Sequence, residues 1–385
     1  MEKNKDRTWA EINLANLVHN AGTIKNQLKQ NVKAVWVVKA DAYGHGAIKV
    51  CQKLEEFGTD YFAVATIDEA LHLRANNITS PILVLSSIAC GRVKEVASND
   101  ITVAVFSHED CKKLSEEASE EGVTIKIHIA VDTGMGRVGL NATDVESSDK
   151  TYEDILEIIR MPGLFAEGIF THFATADEKN EEYTLRQFDF FHKLVNKIRQ
   201  NDLPEGIISI AHCANSATII RFPQMQMDMV RAGIILYGMN PSEYIKTLGF
   251  DLKPVMAVKS RVSFVKKIEE DLPVSYGSTF VAPKGSYVVT VPIGYADGYR
   301  RNMSNKAQME INGNALDVIG RVCMDQTMLD ATELFNRGEV IKRGDIVDVF
   351  GGTLFTADDI AKICGTINYE ITSGISQRVA RIYIE

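Results

Sequence analysis

The sequence predicts an α/β protein: an N-terminal (β/α)8 TIM barrel over residues 1–245, followed by a mainly-β C-terminal domain over residues 246–385. Three observations carry this. Short β-branched runs recur eight times in roughly the first 240 residues. Segments with helical apolar spacing separate most of them. Beyond about residue 245 the rhythm changes to strand-like stretches broken by Gly, Asp, Asn and Pro turns.

In chain order, the barrel strands are expected at residues 33–38, 61–65, 82–85, 101–106, 124–131, 166–171, 207–211 and 228–231. Helices are expected at 47–57, 108–118 and 182–198. The second domain should place strands at 258–265, 287–291, 315–319 and 345–350, and the first residues of the chain can pair with it. Trp36, Phe62, Phe190 and Phe191 have core spacing, whereas His19, His72, His108 and His192 read as surface residues.

With 45% hydrophobic and 24% charged residues, the composition is that of an ordinary globular protein. A net charge of -9 argues against a nucleic-acid partner, because phosphate recognition relies on concentrated Lys and Arg. The six cysteines (Cys51, Cys90, Cys111, Cys213, Cys323, Cys364) form no C-x-x-C pair, so neither a disulfide framework nor a zinc site is expected. Isolated thiols and a polar N-terminus fit the cytoplasm. No run approaches a membrane span, and no H-E-x-x-H or carboxylate cluster suggests a catalytic metal.

Barrel enzymes build their sites at the C-terminal ends of the strands. The first strand ends in AVWVVKADAYGHG, which puts Lys39 in a partly desolvated position, where a lysine shifts toward the neutral amine needed for Schiff-base chemistry. Tyr43, Gly44 and Gly46 follow in the loop. The sixth strand leads to His172, the seventh to His212, Asn215 and Ser216, and the eighth carries Arg231, Gly233 and Ile234. Ser216 stands where a helix should open, so its hydroxyl and the amides of Gly233 and Ile234 suggest a phosphate cradle. A desolvated lysine beside such a cradle suggests pyridoxal phosphate.

Eight segments resemble the alanine racemase motifs in family order: AVWVVKADAYGHG, HIAVDTGMGRVG, HCANSAT, VRAGIILYG, VSYGSTF, PIGYADGY, GRVCMDQ and GTINYE. The resemblance runs from near residue 8 to the C-terminus and implies a fold-type III pyridoxal 5'-phosphate enzyme. It also implies interconversion of L- and D-alanine, a homodimer with shared active sites, and a bacterial role in D-alanine biosynthesis as a peptidoglycan precursor. By the same resemblance Lys39 is the Schiff-base lysine and one base, and Tyr276, donated by the partner chain, is the base on the opposite face. A free tyrosine titrates near about 10, so that role needs a neighbouring positive charge or hydrogen bonds. His172 and Arg231 are the family's candidates for that network, and Arg231 faces the pyridine nitrogen. Tyr43, Ser216, Gly233, Ile234 and Tyr369 are implied to hold the phosphate. Arg137 and Met324 are implied to contact the substrate carboxylate region, and Tyr295 and Asp325 lie at the entrance. Tyr237 reads as core.

The sequence departs from the family at Ala130, where many members carry a carbamylated lysine that orients the nearby arginine, here Arg137. A chloride ion or ordered water is expected to replace the carbamate, because a buried guanidinium without an acceptor would be costly. The smaller side chain also opens an alternative, serine or broader amino-acid racemisation, while Tyr369 favours alanine. A second departure, SQRVAR near the end, is expected to serve packing.

Three competing readings are weaker. GMGRVG matches G-x-G-x-x-G at Gly134, Gly136 and Gly139, but a dinucleotide site needs a helix opening at once, and polar LNATDVESSDK is a poor start. A non-catalytic pyridoxal-phosphate carrier would lack VSYG and GRVCMDQ. A barrel decarboxylase would need a glycine-rich phosphate run that is missing here.

Overall fold

The computed structural model describes residues 7–89 and 91–385, so Cys90 lies outside the described residues. Two compact units divide it: Val18–Ala42 with Ala47–Leu252, and the described residues up to Leu17 with Tyr43–Gly46 and Lys253–Glu385.

The first unit is built on eight parallel strands: Lys33–Val37, Tyr61–Val64, Ile82–Val84, Ile101–Val105, Ile125–Asp132, Leu164–Phe170, Ile210–His212 and Met229–Ala232. Successive strands from the first to the seventh pair side by side, and the last strand pairs with the first, Arg231 opposite Val35. The remaining seam is bridged by Asp228 N donating to Ala211 O at 3.1 Å and Arg231 N to Ala214 O at 2.9 Å, which leaves the barrel nearly closed. The strands read as continuous apolar runs because both faces are buried, one against the helices and one against the interior.

Helices return between the strands where capping residues start them. Thr66 and Glu69 form a capping box on Ile67–Ala75, and Ser107 accepts from Asp110 N at the start of His108–Glu121. The helices Ala47–Phe57 and Glu182–Arg199 lie where apolar spacing places them. Trp36, Phe62 and Phe191 are buried, and Tyr237 is buried with its hydroxyl donating to Val37 O at 2.9 Å. Phe190 is half-buried under Arg186. His72 and His192 are exposed, while His19 and His108 are half-buried in ion pairs with Asp251 and Glu157.

In the second unit the order across a six-stranded sheet is Asn314–Asp317, Gln308–Ile311, Ile346–Phe350, Met256–Arg261, Thr8–Asn13 and Ala380–Ile384. The N-terminal strand therefore lies between two C-terminal ones, antiparallel to the first and parallel to the second. Phe264–Lys267, Tyr287–Val291 and Thr327–Asp330 make a separate three-stranded sheet. The single strand expected at 258–265 is thus two strands that belong to different sheets, broken at Val262 and Ser263.

Candidate active site

Lys39 lies two residues past the end of the first barrel strand. Burial lowers its pKa, the positive Arg137 lowers it further, and Glu69 opposes both. The next four residues, Ala40, Asp41, Ala42 and Tyr43, have φ of 52°, 53°, 54° and 53°, a left-handed turn made without glycine. Such geometry costs about 1–2 kcal/mol per residue, so it persists only where neighbours hold it. Ala40 N donates to Glu69 Oε1 at 2.6 Å, Ala42 N to Val38 O at 2.8 Å, and Asp41 Oδ1 accepts from Ala47 N at 2.7 Å. The turn reverses the chain directly behind the lysine.

At the far seam of the same barrel, Asn215 caps the short helix Ser216–Arg221 by accepting from Thr218 N. Ser216 Oγ accepts from Gly233 N at 3.0 Å, which brings the seventh and eighth strand ends together. Ile234 then opens a 3-10 turn, Ile234–Tyr237, whose N-terminus no side chain caps.

Arg231 is buried, and its guanidinium meets only neutral acceptors. NH1 donates to His212 Nδ1 at 2.7 Å and His212 O at 3.1 Å. NH2 donates to Thr171 O at 2.8 Å and His172 Nδ1 at 3.1 Å, with Cys213 O at 3.4 Å. That leaves its Nε–H without an acceptor among the described residues. Burial lowers the pKa of Arg231 to about 10, so it stays charged at neutral pH. Burial and the adjacent Arg231 hold His172 and His212 well below the usual histidine range, so both rings are neutral there.

Ala130 is buried beside a cavity of about 20 Å³ whose lining includes Asp132, Arg137, Phe170, Thr171 and His172. Arg137 is exposed in this chain, so the expected buried guanidinium is not found. The glycine-rich turn that follows closes on Asp132, whose carboxylate accepts from the amides of Gly134, Met135 and Gly136. Those amides are committed to a carboxylate, and Leu140–Asn141 pairs back on Val131–Asp132 before any helix begins. Helix Val145–Ile159 does open inside the polar stretch read as a poor helix start, because Asp144 and Ser147 form a capping box there.

Within the C-terminal unit, Tyr276 is 69% exposed and Met324 52% exposed, and both line an open cavity of about 640 Å³ with Asp325, Phe264 and Met328. Ser275 and Ser278, on either side of Tyr276 and Gly277, have φ of 64° and 48°. Ser275 Oγ fixes that loop by donating to Arg321 O at 2.5 Å. Tyr295 N and Ala296 N donate to Cys323 O and Met324 O, which joins the Tyr295 turn to the Met324 loop. Tyr43 and Tyr369 pack with ring centroids 6.0 Å apart, and burial pushes the Tyr43 hydroxyl up to about 12.

The SQRVAR segment does more than pack. Arg378 pairs with Asp325 at 2.7 Å and with buried Asp297 at 3.0 Å, and Arg7 closes a bidentate pair on Asp297. Arg381 donates to the carbonyls of Gly44, Ile375, Ser376 and Val379. Sequence reasoning also missed Glu69, His128 and Glu167. The available signals were a T-x-x-E cap at Thr66 and an acid inside the apolar run LFAEGIF. Among the described residues no group of three His, Cys, Asp or Glu could hold a metal ion, and no helix is long and apolar enough to cross a membrane.

Residues 12–241 match the family described as alanine racemase, N-terminal domain, and residues 255–383 match alanine racemase, C-terminal domain. The chain is 42% identical over 380 residues to alanine racemase 2 of Caldanaerobacter subterraneus subsp. tengcongensis, covering 98% of this chain and 95% of that protein. It superposes on the alanine racemase structure from Clostridium difficile 630 with a TM-score of 0.90 at 41% identity, over 98% of this chain and 95% of that one. A Bartonella henselae alanine racemase with covalently bound pyridoxal phosphate matches with a TM-score of 0.85 at 28% identity, over 98% and 99% of the two chains.

Proposed function

The chain belongs to the alanine racemase family and interconverts L-alanine and D-alanine, and from that premise we propose that it uses pyridoxal 5'-phosphate with Lys39 and Tyr276 of the partner subunit as its two bases. The observation that carries this reading is Arg231, a buried guanidinium among neutral acceptors whose Nε–H has none among the described residues. That arrangement fits a neutral ring nitrogen as the missing acceptor. The covalent pyridoxal phosphate of the Bartonella henselae relative supports the same cofactor.

When bound, pyridoxal phosphate supplies an electron sink that acidifies the substrate α-proton. Lys39 would hold it covalently, and Tyr43, Ser216, Gly233, Ile234 and Tyr369 would hold its phosphate. Arg231 acts as a donor too weakly acidic to protonate the ring, which limits transamination. In either direction one base takes the α-proton and the other, already protonated, returns one to the opposite face. Lys39 Nζ and the Tyr276 hydroxyl of the partner subunit therefore exchange protonation states in each turnover, and exchange with solvent resets them. His172, bonded to Arg231, supports the phenol in that role. Arg137, together with Met324 of the partner subunit, receives the substrate carboxylate region, with Tyr295 and Asp325 at the entrance.

A homodimer is supported by the C-terminal unit, which exposes Phe264, Val281, Tyr276 and Met324. Beside Ala130, a chloride ion or an ordered water takes the place of a carbamate, and about 20 Å³ is room for one such occupant. Anomalous density from a bromide soak checks this, and an empty apolar space beside Arg137 would refute it. The protein is assigned to the cytoplasm, supplying D-alanine for peptidoglycan; its five described cysteines are all free, which supports a reducing compartment.

The test is incubation of the cofactor-loaded protein with L-alanine in deuterated water, following chirality and α-deuterium together. D-alanine carrying solvent deuterium is the expected result. Bound cofactor with neither exchange nor inversion would overturn the mechanism. A serine or broader preference is the second reading, favoured by the small side chain at Ala130, and the ratio of kcat/KM on alanine and serine ranks the two.

A further inference from the structure

The strand Leu164–Phe170 is buried or half-buried along its whole length, yet it carries Glu167 at its centre. Its pairing with Ile125–Asp132 explains how. Ile127 is opposite Ala166 and His128 is opposite Gly168, so the register shifts and Glu167 is left as the extra residue of a β-bulge. A bulge re-aims a side chain, and here the carboxylate reaches His128 Nε2 at 3.3 Å. Gly168 completes the arrangement, because a Cβ there would come within 2.7 Å of the His128 ring.

From His128 a chain of bonds continues through the barrel interior. His128 Nδ1 meets His212 Nε2 at 2.8 Å, and His212 Nδ1 meets Arg231 NH1 at 2.7 Å. At the other end Tyr61 Oη donates to Glu167 Oε2 at 2.8 Å and pairs with Thr102 Oγ1 at 2.9 Å. Both histidine side chains are fully buried, and Phe170 stacks on His212 at 5.0 Å.

The direction of this chain is fixed by donor chemistry. Arginine has no acceptor, so His212 Nδ1 must accept, and the neutral ring carries its proton on Nε2. His128 Nδ1 then accepts, so its proton also lies on Nε2, where an ionised Glu167 receives it. Burial pushes the Glu167 carboxyl up, but the bonds from His128 and Tyr61 outweigh that and hold it below its usual range. Reversing the chain would bring an N–H of His212 against an N–H of Arg231. Only one tautomer of each ring satisfies every member.

We propose that Glu167 is a positioning residue for Arg231, fixing the tautomers of His128 and His212 so that the guanidinium is locked with its Nε–H toward the cofactor ring. This rests on the reading of Arg231 given above. Without the carboxylate, the Nε2–H that the chain imposes on His128 loses its acceptor in a fully buried site, so a flipped His128 ring becomes competitive. His212 can then turn over, and Arg231 loses its shortest acceptor.

The experiment is 15N NMR of the histidine rings in the full chain without cofactor, assigned with His128→Asn and His212→Asn. Both rings are expected as Nε2–H tautomers in the wild type. Glu167→Ala should release His128 into a mixture of tautomers, whereas Glu167→Gln, which keeps an acceptor oxygen, should retain the wild-type form. In the cofactor-loaded enzyme Glu167→Ala should raise transamination relative to racemisation by about threefold or more, with KM nearly unchanged and rescue by Glu167→Gln. Nδ1–H tautomers in the wild type, or unchanged ring shifts in Glu167→Ala, overturn the proposal. So does a loss of activity with no change in that ratio. Nδ1–H tautomers in the wild type overturn it even where Glu167→Ala fails to fold. A protein with the expected tautomers that binds no pyridoxal phosphate counts against the cofactor reading alone.

Discussion

Ala40 N and Glu69 Oε1 lie 2.6 Å apart, a bond that ties the strained turn behind Lys39 to the first turn of Ile67–Ala75. The same carboxylate accepts from Ala65 N and Thr66 N, so one side chain caps a helix and holds a left-handed turn. Lys39 is aimed by a residue thirty positions further along the chain.

Glu69→Ala strands these amides. It should lower stability by about 1–3 kcal/mol and turnover by about tenfold or more, because a misplaced base loses alignment. Glu69→Gln keeps an acceptor and should recover most of both. Urea melts and D-alanine formation rates check this, and equal effects of the two substitutions would count against it.

Lys39→Ala and Tyr276→Phe should each reduce racemisation by about 10²–10⁴-fold or more, the range for a positioned proton-transfer group. Mixed and allowed to exchange subunits, the two inactive chains should recover about a quarter of wild-type activity, since half the dimers would then hold one intact site. No recovery after verified exchange would place both bases in one subunit.

His128, His172 and His212 all have pKa values lowered by burial. Below the ordinary histidine value of about 6.5, the unfolded chain takes up protons that the folded chain does not. Stability is therefore full above that pH and falls as pH drops below it, by about 1.4 kcal/mol per pH unit for each ring that stays neutral. Urea melts at about pH 7.5 and 5.5 measure the slope, and a flat profile would mean the folded rings are charged.

Gly168→Ala drives a methyl into the His128 ring and should cost about 1–3 kcal/mol as overpacking. The same substitution at Gly122, a helix C-cap with open space around it, should cost about 1 kcal/mol from its positive φ alone. Chemical denaturation of the two variants separates the clash from the backbone effect.

The barrel was legible because both faces of each strand are buried, so the sequence shows eight plain apolar runs. The positions of Lys39, Ser216 and Arg231 at or beside strand ends were legible from the same runs, and strand ends are where a barrel displays chemistry. Glu167 was not, since a bulge shifts which side a residue faces and nothing local in LFAEGIF announces one. The left-handed turn at Ala40 to Tyr43 was equally silent: its alanines have no intrinsic preference for positive φ, and the bond that stabilises it comes from Glu69. Arg137 was misjudged as buried because its surroundings were inferred from the family's carbamate rather than from its own loop.

The pairing of Trp9 with Ala380 has a consequence for the order in which the protein is made. The barrel strands are all synthesised by Ala232, but Thr8–Asn13 must wait for Met256–Arg261 and then for the final residues before both its edges are covered. During synthesis Thr8–Asn13 thus keeps an open edge until Ala380–Ile384 has been made, which makes that segment a natural target for chaperones.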